Sequence, residues 1–288
     1  MNNWTWDSAW PAPAKLNLFL HVTGRRTDGY HLLQTVFRFI DRADTLRFAP
    51  RTDKQIVLAT PIPGVPPDSD LTVRAAHLLQ QHTGHQQGVT ISLDKRLPMG
   101  GGLGGGSSDA ATVLLALNHL WQTGVSRSEL ERIGLNLGAD VPVFVHGRNT
   151  FAEGVGEKFT DIDLPAATYL VLHPPVNVPT AVIFGSPDLC RSTPPISPRT
   201  WQPGTGHNDL EAVACTHFPA VAEHLAWLKQ HNPNAMMTGS GACVFATFTD
   251  REAAERVFSQ RPSGYTGWLA DGLGDHPLAK IEQNSRQP

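Results

Sequence analysis

Apolar and polar positions alternate along residues 14–22. Leu16, Leu18, Leu20 and Val22 fall on one side, and Lys15, Asn17, Phe19 and His21 on the other. That period of two predicts a strand with one apolar face. Thr27-Asp28-Gly29 is a turn signal, and 31–40 and 44–48 read as two further strands. Residues 61–67 form a proline-rich loop, 71–82 predict a helix, and 89–93 alternate as a strand. A glycine tract leads into a mostly apolar, helix-forming stretch over 110–121. Ser126 with Glu129 three residues on is a capping-box pattern, opening a helix over 129–137 that Gly138 ends. Asp140-Val141-Pro142 then reads as a fresh helix start, with Asp140 as N-cap and proline in the first turn.

After Glu157 the chain changes character. Residues 169–173 predict a short apolar strand, and 187–203 a proline- and serine-rich surface loop. Helical patterns follow at 208–214, 219–230 and 251–260, and 235–248 hold a second glycine turn feeding a strand. No internal repeat is present. Strands and helices mix without strict alternation, which predicts an α+β chain in two lobes, residues 1–160 and 161–288.

The glycine tract carries the strongest chemical signal. Six of the seven residues from Gly100 to Gly106 are glycine, Leu103 being the exception. Strand, glycine loop and helix start together offer bare N–H groups and the positive end of a helix dipole, a setting for phosphate. A flexible linker would not run straight into an apolar helix. No lysine follows the glycines, so this is not a Walker loop. Gly100, Gly102 and Gly105 fit a dinucleotide fingerprint formally, but helix follows helix here, so the required βαβ unit is missing.

Composition narrows the class. Hydrophobic residues make up 40% of the chain, enough for a substantial core, and the formal net charge is −3 with no basic run. Binding to nucleic acid through phosphate neutralisation is not expected. The opening residues lack the basic and apolar regions of a signal peptide, and no apolar stretch reaches membrane-spanning length. The three cysteines are scattered, which argues against disulfides and a zinc site and fits a reducing cytoplasm. His82 and His85, the one close histidine pair, lack a third ligand at sensible spacing and read as surface; no metal-binding residue is expected.

Phosphoryl transfer needs cradled phosphates, neutralising charge and a group to take the acceptor's proton. The glycine loop fits the first need, Lys15 the second and Asp140 the third. Each has a plainer reading as well: Lys15 as a solvated lysine, Asp140 as an N-cap, and Tyr30 and His31 as packing residues at a lobe edge.

Three segments together bear a resemblance. Pro13-Ala14-Lys15-Leu16-Asn17-Leu18, the run from Pro98 through Ser107-Ser108-Asp109-Ala110-Ala111, and Thr238-Gly239-Ser240-Gly241-Ala242 are similar to the three motifs of the GHMP kinases. Arg26-x-Asp28-Gly29-Tyr30-His31, 137–144 and 151–157 resemble the branch of that family whose alcohol substrate carries a cytidine diphosphate. The matches run from Pro11 to Phe248. The resemblance implies a ribosomal-protein-S5-domain-2-like N-terminal lobe with a left-handed βαβ unit and a ferredoxin-like C-terminal lobe. It implies ATP as co-substrate with Mg²⁺, Asp140 as catalytic base, and Lys15 as its partner, orienting the accepting hydroxyl. Lys95, Pro98, Met99, Gly100, Gly101, Gly102, Leu103, Gly104, Gly105, Gly106, Ser107 and Ser108 would hold ATP, with either serine capping the helix or meeting Mg²⁺. Asn17, Tyr30 and His31 would hold the cytidine end, Phe184 would be a second aromatic plate, and Thr180 would lie near the acceptor alcohol. Asp70 stands where the family often has asparagine, so it is left outside this set. Homoserine- or mevalonate-type kinases have no base to stack on Tyr30 and Phe184, and a catalytically dead sensing relative would not need both Lys15 and Asp140.

Overall fold

The computed structural model describes residues 4–281. In chain order the elements are β1 (Trp10–Arg25), β2 (His31–Arg51), β3 (Ile56–Leu58), α1 (Leu71–Thr83), β4 (Gly88–Asp94), α2 (Gly105–Leu120), α3 (Arg127–Leu135), α4 (Val141–His146), β5 (Thr150–Glu153) and β6 (Lys158–Asp161). The second half holds β7 (Thr168–His173), α5 (Thr180–Gly185), α6 (Asp209–His217), α7 (Pro219–His231), β8 (Met236–Met237), β9 (Val244–Phe248), α8 (Arg251–Ser259) and β10 (Thr266–Asp271).

β2 is the spine of the first sheet. It pairs antiparallel with β1, β4 and β5, and β6 adds beyond β5. The two strands predicted over 31–48 are one continuous strand: the polar break at Asp41-Arg42 falls in a bulge, and pairing with β1 holds on both sides of it, at Phe39 with Lys15 and at Ala43 with Pro13. β3 and β4 run parallel with α1 between them, so a βαβ unit is present in this lobe. Helices α1 to α4 pack on one face of the sheet through a core that includes Phe39, Leu79, Leu114 and Phe144.

The second sheet has the order β10-β7-β9-β8, with α5, α6 and α7 between its first two strands in sequence and α8 between its last two. That is the βαββαβ arrangement of a ferredoxin-like lobe. Its outer face is packed through Leu172, Leu210, Leu225 and Val244. Leu16, Phe19 and Phe151 of the first sheet meet Tyr169, Val171 and Phe245 of the second in a third cluster, which joins the lobes face to face.

The lobes do not divide at residue 160. β6 runs on to Asp161, and the chain after β10 returns to the first lobe. There Leu278 and Ile281 join the helix-side core, Asn149 Nδ2 donates to the carbonyls of Leu273 and Gly274, and His276 N donates to Gly147 O at 2.9 Å. Arg38, buried on β2, donates to Leu164 O and Pro165 O of the connecting strap.

Candidate active site

A cleft of about 560 Å³ opens between the lobes, lined by β1, the glycine loop, the N-terminal ends of α1 and α4, and the turn after β8. The predicted polar face of β1 lies at its base and is not solvated: Lys15 and Asn17 are each 2% exposed. One residue is inserted between the Asn17–Phe37 and Leu20–Thr35 pairs, a bulge beside the site.

The glycine loop is tied to both neighbouring motifs through its carbonyls. Lys15 N donates to Leu103 O at 3.0 Å, Ala242 N to Gly100 O at 3.0 Å and Cys243 N to Gly101 O at 3.2 Å. Gly104 has φ 72°, and a Cβ there would lie 2.8 Å from the Phe144 ring. Only glycine takes that conformation without strain or collision. α2 begins inside the tract at Gly105, five residues earlier than the apolar pattern predicts, and Ser108 N to Gly104 O, at 2.8 Å, is the first bond of the helix. The amides of Gly105, Gly106 and Ser107 are thus left without intrahelical acceptors, facing the cleft.

The two serines separate. Ser107 lines the cleft, whereas Ser108 is fully buried and its Oγ donates to Pro13 O at 2.7 Å. The hydroxyl of Ser108 is therefore engaged by β1 and not free for a nucleotide. Lys95 pairs with Asp109 at 2.8 Å and with Asp44, which is fully buried and also accepts from the amides of Arg96 and Leu97. Burial opposes charge on Lys95, but Asp109 and Asp44 outweigh it and raise its pKa. Asp109 is pushed up to about 7, by burial first, with Asp44 adding and Lys95 opposing.

Lys15 Nζ lies 2.5 Å from Asn17 Oδ1 and 3.3 Å from Asp140 Oδ2, with the Phe37 ring 5.4 Å away. Asn17 Nδ2 donates to Thr35 Oγ1, and Asn17 N to Thr238 Oγ1 at 3.0 Å. The amide of Asn17 is committed to Lys15 and Thr35, which differs from the expected hold on a cytidine. Asp140 occupies the N-cap position of α4 but makes no capping bond. Its carboxylate points at Lys15 instead. Asp70 does cap: it accepts from Thr72 N at 2.8 Å and Val73 N at the start of α1, with the carboxylate buried.

At the other end, Tyr30 is 64% exposed at the tip of the β1–β2 turn. His31, and not Tyr30, meets Phe184, with ring centroids 4.9 Å apart at 36°. Phe184 and Thr180 line the cleft from α5, a helix that the sequence pattern does not reveal, and Thr180 Oγ1 lies 2.9 Å from Ser240 Oγ. Thr35, Asp44, Asp109 and Arg191 complete the surroundings of the expected residues; of these only Asp109 stands in a recognisable motif. His85 stacks on Trp121 with centroids 4.7 Å apart, and His82 Nε2 lies 3.3 Å from Glu129 Oε1. No described helix is long and apolar enough to cross a membrane.

Residues 70–148 match the family model for the GHMP kinases N terminal domain, and 201–266 that for GHMP kinases C terminal. A 4-diphosphocytidyl-2-C-methyl-D-erythritol kinase of Dechloromonas aromatica is 76% identical over 272 residues, covering 94% of this chain and 99% of its own. One of Thiobacillus denitrificans is 59% identical over 272 residues, covering 94% and 98%. A crystal structure of 4-(cytidine 5'-diphospho)-2C-methyl-D-erythritol kinase superposes with a TM-score of 0.77 at 34% identity, over 93% of this chain and 100% of that one. A homoserine kinase of Cytophaga hutchinsonii, at TM-score 0.69 and 15% identity over 96% and 98% of the two chains, shares the fold. The chain belongs to the GHMP kinases and, within them, to the 4-diphosphocytidyl-2-C-methyl-D-erythritol kinase family.

Proposed function

We propose that this GHMP kinase transfers the γ-phosphoryl group of ATP to the 2-hydroxyl of 4-diphosphocytidyl-2-C-methyl-D-erythritol, giving the 2-phosphate and ADP. The reaction belongs to non-mevalonate isoprenoid precursor synthesis, carried out in the cytoplasm. The observation that carries the reading is the Lys15–Asp140 pair, 3.3 Å apart beside a glycine loop whose helix amides face the same cleft. The uncapped amides of Gly105 to Ser107 receive the phosphates, and Lys95, paired with Asp44 and Asp109, stands beside them. Asp140 accepts the proton of the attacking hydroxyl while Lys15, held by Asn17, orients that hydroxyl. Tyr30 and Phe184 flank the cytosine, His31 reads its edge, and Thr180 lies near the methylerythritol.

Among the described residues no three His, Cys, Asp or Glu side chains gather as a metal site. Mg²⁺ thus fits best as an ion carried on the nucleotide phosphates, with Ser107 the hydroxyl nearest that end. Bound there, it neutralises charge on the transferred group. Assaying purified protein with Mg·ATP and the cytidylyl alcohol, beside homoserine and mevalonate, tests the reading. Equal turnover of a non-nucleotide alcohol would defeat the substrate assignment.

A further inference from the structure

Among the described strands β1 pairs only with β2. The amides along its other edge are taken up one after another. Lys15 N donates to Leu103 O at 3.0 Å, Asn17 N to Thr238 Oγ1 at 3.0 Å, Leu20 N to His207 O at 2.9 Å and Val22 N to Asp209 Oδ2 at 2.6 Å. The last three acceptors belong to the second lobe, and Asn208 stands between two of them, bridged to Leu20. Asn208 is buried at the N-cap of α6, where its Oδ1 accepts from Leu210 N at 2.9 Å. Its Nδ2 donates to Met237 O and to Gly239 O, both at 2.8 Å. Both amide hydrogens are thus spent on the carbonyls either side of Thr238.

We propose that Asn208 is a positioning residue: by clamping the turn on both sides of Thr238 it fixes the hydroxyl that holds Asn17, and through Asn17 it sets where the Lys15 ammonium stands. The inference rests on the part given to Lys15 in the phosphoryl transfer proposed above. Thr238 is fully buried, and its Oγ1 is the acceptor for Asn17 N. Asn17 Oδ1 in turn lies 2.5 Å from Lys15 Nζ, which faces Asp140 at 3.3 Å. The bulge after Asn17 interrupts the ladder with β2, so the sheet alone does not fix the strand there. A flipped Asn208 amide would set its oxygen against two carbonyls, so the capping bond and the clamp enforce one orientation.

The consequence falls on turnover and not on ATP. The glycine loop has its own ties to the second lobe, through Ala242 N to Gly100 O and Cys243 N to Gly101 O, which do not pass through Asn208. Without the clamp the phosphate end stays in place, while the ammonium that orients the acceptor hydroxyl loses its register. A misplacement on the order of 1 Å at a reacting group costs up to about a hundredfold in rate.

The test is steady-state kinetics, per folded enzyme, on wild type, Asn208→Ser, Asn208→Asp, Thr238→Val and Lys15→Met, with Asn208→Ser also built on Lys15→Met. Serine and aspartate cap a helix about as well as asparagine, but neither has an amide to set between Met237 O and Gly239 O. Both variants should lower kcat about tenfold to hundredfold and leave KM for ATP within about threefold. Thr238→Val keeps the shape, removes the hydroxyl and should show the same loss in kcat. On Lys15→Met, adding Asn208→Ser should cost less than about twofold more, because the residue it acts through is already gone. A kcat within about twofold of wild type in Asn208→Ser, with only Tm lowered, overturns the inference and leaves a structural cap. So does an undiminished further loss on Lys15→Met. Thr238→Val at the wild-type kcat breaks the relay even if no Asn208 variant folds. Wild type that fails to phosphorylate the cytidylyl alcohol would count against the proposed reaction, a result visible before any variant is made.

Discussion

Asp140 sits where an N-cap residue sits, yet its carboxylate makes no capping bond and lies 3.3 Å from the ammonium of Lys15. Capping and catalysis make opposite demands on that oxygen. An asparagine in its place would keep the size and an oxygen for Lys15 but could not take a proton. Asp140→Asn should lower kcat by about 10²–10⁴-fold, the usual contribution of a general base. Its Tm should fall by less than about 5 °C, the scale of a kcal/mol or two in a chain of this size. A stable variant with kcat within about threefold of wild type would remove Asp140 from the chemistry.

Lys15→Met should also be slow, with the loss mainly in kcat. On the proposed reading Lys15 and Asp140 act on one hydroxyl, so the double variant should lose less than the product of the two single losses. A double-mutant cycle on kcat measures this, and full additivity would mean that the pair does not act as a unit.

Tyr30 is exposed and has no aromatic partner among the described residues, so truncating it should hardly disturb folding. Stacking on a base is worth about 1–3 kcal/mol. Tyr30→Ala should therefore weaken binding of the cytidylyl substrate roughly tenfold to hundredfold and leave ATP unaffected. Calorimetric titration of each ligand separates the two, and an equal loss for both would make Tyr30 a packing residue.

Lys95→Met would leave Asp44 and Asp109 facing each other without their shared cation. Breaking a buried ion pair from one side costs about 3–5 kcal/mol. Denaturant unfolding should show a loss of that order. Adding Asp109→Asn should restore part of it, since one of the two repelling carboxylates is then gone. A single variant as stable as wild type would mean that the cluster is not needed for folding.

His276 is fully buried against Phe39 and Phe144, and its pKa is lowered from 6.5 to about 3, by burial first and then by Arg127. Between those values the unfolded chain binds a proton that the folded chain refuses. Stability from this residue is therefore complete above about pH 6.5 and is lost as pH falls towards 3. The slope reaches at most about 1.36 kcal/mol per pH unit for one proton. His276→Gln, which does not titrate, should show a shallower decline of unfolding free energy between about pH 7 and pH 4, the window in which the histidine takes up its proton. Parallel curves would show that His276 is not the titrating group.

Much of this fold is legible where the signal is local. α1, β4, β7, α7 and α8 follow their own hydrophobic periods to within a residue or two, and the glycine tract marks a loop that lines the cleft. β3, β5 and β6 escape the pattern because each is four residues or shorter, too few for a period to show. The start of α2 is hidden because glycine is a poor helix former, and here the loop is fixed by β1 and the turn after β8. The burial of Lys15 is invisible in sequence because its neighbours Leu103, Gly104 and Asp140 lie far along the chain. Ser107 and Ser108 look alike in sequence; only the phase of α2 against Pro13 tells them apart. Arg191 stands in a proline- and serine-rich stretch with no period at all, although that stretch buries Leu189 and Trp201 and is not purely surface.

The return of the chain after β10 changes how the two lobes are connected. The ferredoxin-like lobe is not hung from the first by one strap but spliced into it, entering past Pro165 and leaving at Gly272. Gly272 N donates to Ala167 O and Leu273 N to Phe39 O, so entry and exit run side by side across β2. The first lobe is the host and the second a guest held at both ends. A guest held in that way can rock about the line through its two attachments but cannot swing away, so the floor and the roof of the cleft stay in register whatever passes between them.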